Sequence, residues 1–140
     1  MLIEEICDSE GKVLVQIYDL NNIETTSFPT PENWSMQFGV GCAETNDKVF
    51  IPHVHKDASR KLQNTGEFIY VTKGRMEIFF LDQKGSKLKK VSLSKGMAFL
   101  QMEGGHAIKA IAGSNYFELK QGPYLGRNID KFDVEIEGDW

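Results

Sequence analysis

The chain has few cysteines and no long apolar run, and both shortages narrow its class. Cys7 and Cys42 are the only cysteines among 140 residues, and they lie far apart with no CxxC spacing. A small disulfide-stabilised secreted protein needs more cysteines, so we expect a reducing compartment. No segment approaches the roughly 20 apolar residues that cross a bilayer, and acids stand where a secretion signal needs a basic start. We therefore predict a cytoplasmic protein with no membrane partner.

Clustered positive charge is also scarce. The chain carries 16 Lys and Arg against 20 Asp and Glu, a net charge of −4. Nucleic-acid surfaces need grouped cations that neutralise phosphates. The one basic cluster lies around a predicted turn, where a solvated hairpin end explains it: Lys84, Lys87, Lys89 and Lys90. The sequence predicts no nucleic-acid partner.

Helical periodicity is the third feature that the sequence lacks, since no long segment repeats apolar residues at i, i+3, i+4 and i+7. Instead, short segments rich in Val, Ile, Phe and Tyr are separated by turn residues, as in an all-β sandwich or barrel. We predict one domain over residues 1–140. Its predicted strands are residues 12–18, 34–39, 48–53, 67–71, 75–81, 87–93, 98–102, 106–111, 116–119 and 131–136.

The three histidines are the most informative residues. His53 and His55 are separated by one residue on a predicted strand, so their side chains project to the same side, close enough to share one ion. Glu67 and His106 each open a later predicted strand. Neutral imidazoles with a carboxylate suit one divalent transition metal such as Zn, Fe, Ni or Mn.

An HxH pair alone is more often a surface pair than a metal site. Here, however, no histidine lies outside the set, and Glu67 precedes the apolar run 68–71. A buried acid at the head of such a strand is costly unless a positive charge meets it. The sequence therefore predicts that His53, His55, Glu67 and His106 bind one metal ion.

These segments resemble the cupins. His53-Val-His55, Glu67 and the turn glycine Gly74 look like the first cupin motif, and the run from Gly96 to His106 looks like the second. The resemblance covers about residues 49–122 and implies a cupin-type double-stranded β-helix, or jelly-roll barrel, with one metal inside. It also implies a homodimer. Relative to most cupins, residues 56–66 are a long insertion beside the site.

A closer resemblance points to a substrate class. The segments 67–78, 104–106 and 118–124 are similar to small cupins associated with surface-polysaccharide and nucleotide-sugar pathways. This resemblance implies a carbohydrate-like small-molecule ligand.

Other side chains are candidates for the chemistry around the metal. Glu118 and Lys120 share one face of a predicted strand and are candidate catalytic residues, an acid/base pair or substrate anchor; a solvated pair opposite a buried Phe117–Leu119 face is the alternative. The candidate substrate-binding residues are Gln101, Arg60 and Tyr124.

Three functions remain open at this point. The first is metal-assisted isomerisation or epimerisation of a carbohydrate or nucleotide-sugar-like molecule, in which a metal polarises a carbonyl and a nearby base moves the proton. The second is a non-haem iron dioxygenase, and the third is a small-ligand-binding protein without turnover. The fold alone does not choose between them. The subgroup resemblance favours the first.

Overall fold

A computed structural model of the protein describes residues 1–43, 47–48, 50–62 and 64–136. The described residues form eight strands and one short helix. The strands are β1 (Leu2–Cys7), β2 (Val13–Asp19), β3 (Glu67–Lys73), β4 (Arg75–Leu81), β5 (Lys87–Ser94), β6 (Met97–Gln101), β7 (Gly105–Ala110) and β8 (Asn115–Lys120), and the helix is α1 (Arg127–Asp130).

The strands form two antiparallel sheets. One is five-stranded with the order β1-β2-β6-β3-β8, and the other is three-stranded with the order β5-β4-β7. The all-β prediction is confirmed. The described strands make two open sheets, as in a β-sandwich, and not the closed barrel that we expected. Strands β1, β8, β5 and β7 are consequently edge strands in this arrangement.

The core lies between the two sheets and follows from strand alternation. In β4, Met76, Ile78 and Phe80 are buried, and they pack in one cluster with Ile69 of β3 and Phe99 of β6. Alternate residues of a strand point to opposite faces, so the central strands β3, β4 and β6 give alternate side chains to this core. The Phe80 and Phe99 rings meet edge to face, with centroids 5.1 Å apart.

A second apolar cluster covers the outer face of the larger sheet. Ala98 and Leu100 of β6 alternate with the inner residue Phe99 and pack with Tyr18. The segment around Trp34 and Phe38 lies against them. This outer face of the large sheet is therefore largely covered by residues from outside the sheet.

Most predicted strands correspond to observed ones, but three do not. Residues 34–39 and 131–136, and the described residues of 48–53, are not strands. Residues 34–39 alternate apolar side chains because Trp34, Met36 and Phe38 pack on the outer face, not because they pair with a neighbouring strand. Strand β1 and the one-turn helix α1 were not predicted.

Two further observations bear on the expectations from composition. Cys7 is exposed, Cys42 is half-buried, and both are free thiols. Among the described residues, no helix is long and apolar enough to cross a membrane.

Candidate functional site

A row of polar side chains crosses one end of the five-stranded sheet. Strand pairing sets Glu67 of β3 directly opposite Gln101 of β6 on one side. On the other side Glu67 is opposite Lys120 of β8. Residues directly opposite in an antiparallel pair point to the same face, so the three side chains lie together. This face is the inner one, because Ile69 and Phe99, two residues away along the same strands, belong to the core between the sheets.

The smaller sheet adds a histidine to this row. His106 lies on β7, opposite Phe80 of β4, and its ring faces the larger sheet. Its Nε2 atom is 3.4 Å from Oε1 of Glu67, and its ring centroid is 6.1 Å from that of Phe99. The site therefore forms where the two sheets meet.

These side chains line a cavity of about 420 Å³. This volume falls in the range of about 300–1,000 Å³ that is usual for small-molecule sites. Glu67, Gln101, His106 and Lys120 line one part of the cavity, and residues from the chain segment after β8, among them Lys131, line another. Its lining mixes polar and apolar groups, as a site for an oxygen-rich small molecule requires.

Gln101 determines which nitrogen of His106 carries the proton. The Gln101 amide nitrogen donates hydrogen bonds of 3.0 Å to the backbone oxygens of Glu103 and Gly105. Its Oε1 atom must therefore be the acceptor 2.6 Å from Nδ1 of His106. Nδ1 carries the hydrogen and donates it, which leaves the lone pair of the neutral ring on Nε2.

The ring is neutral at physiological pH. Burial is the largest cause that lowers the pKa of His106, to about 4, and the positive charge of Lys131 lowers it further. The Glu118 carboxylate acts in the opposite direction. The Nε2 lone pair consequently faces Oε1 of Glu67 at 3.4 Å.

Lys120 supplies positive charge beside Glu67. Its Nζ atom is 3.9 Å from Oε2 of Glu67 and also 3.9 Å from Oε1 of Glu118. Both distances exceed a hydrogen bond. The same ammonium lies 5.1 Å from the ring centroid of Tyr124, which is a cation–π distance. Although the Lys120 side chain is only 19% exposed, its N–H groups can still donate to a bound oxygen.

His53 and His55 are not brought to this site. Both are exposed and lie outside any strand, so the predicted strand beneath them is wrong. Their rings do lie near each other, with centroids 5.1 Å apart. Within the described ranges, no three His, Cys, Asp or Glu side chains form a group that could hold a metal ion. The four-ligand metal site therefore stays a prediction.

The other candidate residues have different positions. Glu118 lies opposite Ile69 on the inner face, and its side chain is 42% exposed. It is absent from the described cavity lining, but its Oε1 atom is 3.9 Å from Nζ of the lining residue Lys120. Phe117 and Leu119 are exposed, so the alternative of a buried Phe-Leu face is wrong. Arg60 is exposed and is absent from the described cavity lining, while Tyr124 contacts the site through Lys120.

The sequence did not reveal that residues 127–136 line the cavity. The alternation of charged and apolar side chains over residues 131–136 resembled a strand. In the structure Lys131, Phe132 and Val134 are all exposed, and all three lie on the cavity wall. A local pattern contains no information on which distant strand ends a segment will reach. No signal in the sequence marked these residues.

No protein-family model matches the chain, and the searches of curated proteins and of solved structures gave no match. The likeness to cupins rests on the motifs in the sequence alone.

Proposed function

We propose that this protein is a metal-binding, cupin-like enzyme that isomerises or epimerises a carbohydrate or nucleotide-sugar-like molecule in the cavity. The observation that carries the proposal is the position of His106 Nε2, which lies 3.4 Å from a Glu67 carboxylate oxygen while Nδ1 of the same ring is hydrogen-bonded to Gln101. Two electron-pair donors at this distance repel each other unless a cation or a donor group lies between them. A metal ion is such a cation.

The donor set fits a divalent transition metal. His106 donates its Nδ1–H to the amide oxygen of Gln101, which leaves Nε2 for a metal, the arrangement usual for a metal-binding histidine. Glu67 adds a carboxylate, and His53 and His55 form a second pair with neighbouring rings. In the described structure the rings of His53 and His55 lie outside the cavity lining, so both would have to approach Glu67 and His106 to complete a four-ligand set.

The residues around this position suit proton transfer on a sugar. A bound metal would act as a Lewis acid on a carbonyl or hydroxyl oxygen. Lys120 donates a hydrogen bond to a substrate oxygen and stabilises negative charge that develops there. The Glu118 carboxylate accepts a proton from the carbon next to the carbonyl and returns it to the neighbouring carbon or to the other face.

Metal analysis of protein purified without added metal tests the metal site. We expect close to one transition-metal ion per chain in the wild type, and loss of most of it in Glu67→Gln and His106→Ala. The matched control is Glu77→Gln, which removes a strand carboxylate outside the cavity lining and should retain the metal. A folded wild type that neither contains nor takes up metal would overturn the metal site.

Hydrogen exchange from carbon tests the reaction. In D2O, the metal-containing protein should place deuterium on one carbon of a sugar or nucleotide-sugar, detected by NMR, and Lys120→Met should slow this by at least about 100-fold. Substantial iron content with oxygen consumption would favour the dioxygenase alternative.

A ligand-binding protein without turnover is the second candidate. The Lys120 ammonium, 3.9 Å from Glu67, already supplies positive charge beside this carboxylate. A cavity built in this way can bind a polar ligand by hydrogen bonds alone. Saturable sugar binding to metal-free protein, without deuterium exchange in the metal-loaded form, would favour this candidate.

A further inference from the structure

The charged residues that line the outer part of the cavity differ in whether they have partners. The Arg127 guanidinium pairs with the Asp133 carboxylate. Asp130 accepts a 3.0 Å hydrogen bond from the backbone N–H of Leu125. On the opposite rim, Asp82 accepts backbone N–H groups of its own turn. Each of these charges is already engaged by the protein.

Lys131 is different. It lines the cavity and is exposed to solvent, and across residues 1–43, 47–48, 50–62 and 64–136 it has neither an ion pair nor a side-chain hydrogen bond. An ammonium group on the wall of a small-molecule cavity is thus free to bind a ligand.

The inner part of the cavity favours a different ligand group. Glu67 and Glu118 both lie near Lys120, so a negative group placed at Lys120 would be repelled by two carboxylates. Neutral hydroxyl or carbonyl oxygens suit that position. The inner part of the cavity, formed by Glu67, His106 and Lys120, therefore suits uncharged oxygens, and the Lys131 ammonium on the wall of the same cavity suits negative charge.

We infer that Lys131 binds an anionic substituent, a phosphate or a carboxylate, of the ligand whose uncharged oxygens occupy the inner end of the cavity. The inference rests on the proposed function and narrows its substrate class to acidic carbohydrate derivatives, such as sugar phosphates or nucleotide-sugars. An ammonium group suits this role because it attracts a phosphate or carboxylate as a point charge. Neutral sugars lack the group that Lys131 would recognise.

Anion titration followed by NMR tests the inference without knowledge of the substrate. Metal-free, isotope-labelled protein is titrated with inorganic phosphate and, separately, with acetate, at an ionic strength held constant with sodium chloride. We expect saturable shifts of the backbone amides around Lys131 with at least one of the two anions. The comparison between phosphate and acetate identifies which group the site prefers.

Three variants make the test specific. Lys131→Gln should weaken the anion affinity about tenfold or more, and Lys131→Arg should retain most of it. The control Lys95→Gln removes a cation from a turn outside the cavity lining and should behave as the wild type. Shifts that never saturate, or that are equal in Lys131→Gln and the wild type, would overturn the inference.

This result is separable from the proposed metal site. Because the titration uses metal-free protein, anion binding at Lys131 can persist when the metal prediction fails. Conversely, a protein that holds metal through Glu67 and His106 but binds neither anion would retain the proposed function and lose the acidic substrate class.

Discussion

Gln101 acts on the site through His106. It is almost fully buried, and its amide group joins the backbone oxygens of Glu103 and Gly105 to Nδ1 of His106. All three hydrogen bonds are internal, so Gln101 positions the ring. Gln101 also lines the cavity, and the substrate-binding role that the sequence suggested stays a prediction. The orientation of the Nε2 lone pair depends on this one amide.

Gln101→Met therefore tests the positioning role. Met fills a similar volume but cannot accept the Nδ1 hydrogen, and it leaves two backbone oxygens without their donor. We expect a loss of about 1–3 kcal/mol in the free energy of unfolding, measured in urea. Metal affinity, measured against a competing chelator, should fall about 10- to 100-fold.

Gln16→Met is the matched control for this change. Gln16 is also buried, and it accepts the Tyr18 hydroxyl and donates to Glu5 at a position outside the cavity lining. This variant should lose stability and retain metal affinity. Equal metal affinity in both variants and the wild type would remove Gln101 from the site.

At the residue scale, the sequence indicated which residues form the inner part of the site but not how they come together. Glu67 was a candidate because a buried acid at the head of an apolar strand is costly. His106 was a candidate as one of three histidines, and Gln101 and Lys120 through their positions on predicted strands. Their meeting follows from strand register, with Glu67 opposite both Gln101 and Lys120. Register depends on pairings between distant segments, which single-residue patterns do not specify.

Among the elements, the turn between β6 and β7 determines where β7 begins, and His106 is the second residue of that strand. Gly104 in this turn has a φ of +78°, a conformation that favours glycine. An added Cβ would overlap the backbone oxygen of Leu81. Both the positive φ and the contact with Leu81 therefore disfavour any side chain at this position.

Gly104→Ala should destabilise the protein by about 3 kcal/mol, because backbone strain and a clash with a main-chain atom add together. Gly113→Ala is the control, since Gly113 has a φ of +82° but nothing within 4 Å of an added Cβ. It should cost only about 1–2 kcal/mol. Urea unfolding measures both values, and equal losses would show that the contact with Leu81 is unimportant.

Element prediction succeeded where alternation and turn chemistry agree. Strand β4 was predicted with its observed bounds because apolar residues alternate between two turn glycines, Gly74 and Gly85. Strand β1 was missed because it is an edge strand in which Ile6 alone is buried, so its residues Leu2–Cys7 lack a strong apolar signal. An edge strand pairs with only one neighbouring strand, so fewer of its positions require an apolar residue.

For the whole molecule, the buried ring of His106 makes stability depend on pH. Its folded pKa of about 4 lies below the ordinary value of 6.5, so on acidification the unfolded chain binds this proton first. The stability linked to the neutral ring is complete above about pH 6.5 and is lost as the pH falls towards 4. Over that interval metal-free protein should lose about 3 kcal/mol from this residue.

Urea unfolding of metal-free protein between pH 7.5 and 4.5 measures this loss. His106→Asn is the control, because its amide nitrogen can replace Nδ1 as the donor to Gln101 but does not titrate. The variant should show a clearly shallower pH dependence. Parallel curves for the two proteins would mean that the ring keeps an ordinary pKa in the folded state.

The all-β class was predictable at this largest scale, but the assembly of the sheets was not. Composition and strand length indicate β structure, whereas the division into five and three strands depends on which edges remain open. The exposed segment with His53 and His55 shows the limit: its alternation resembles a buried strand, yet Ile51 and Val54 are exposed.

The cavity residues come from both sheets, so binding of a ligand in the cavity is coupled to folding. Glu67, Gln101 and Lys120 belong to one sheet and His106 to the other, so a partly folded chain with the sheets apart would have only fragments of a binding site. A ligand that needs both parts binds the fully folded chain alone and stabilises it by mass action. A bound ligand would thereby hold the two sheets in contact. Because proteases cleave the unfolded chain, a higher concentration of the small molecule would lengthen the lifetime of the protein.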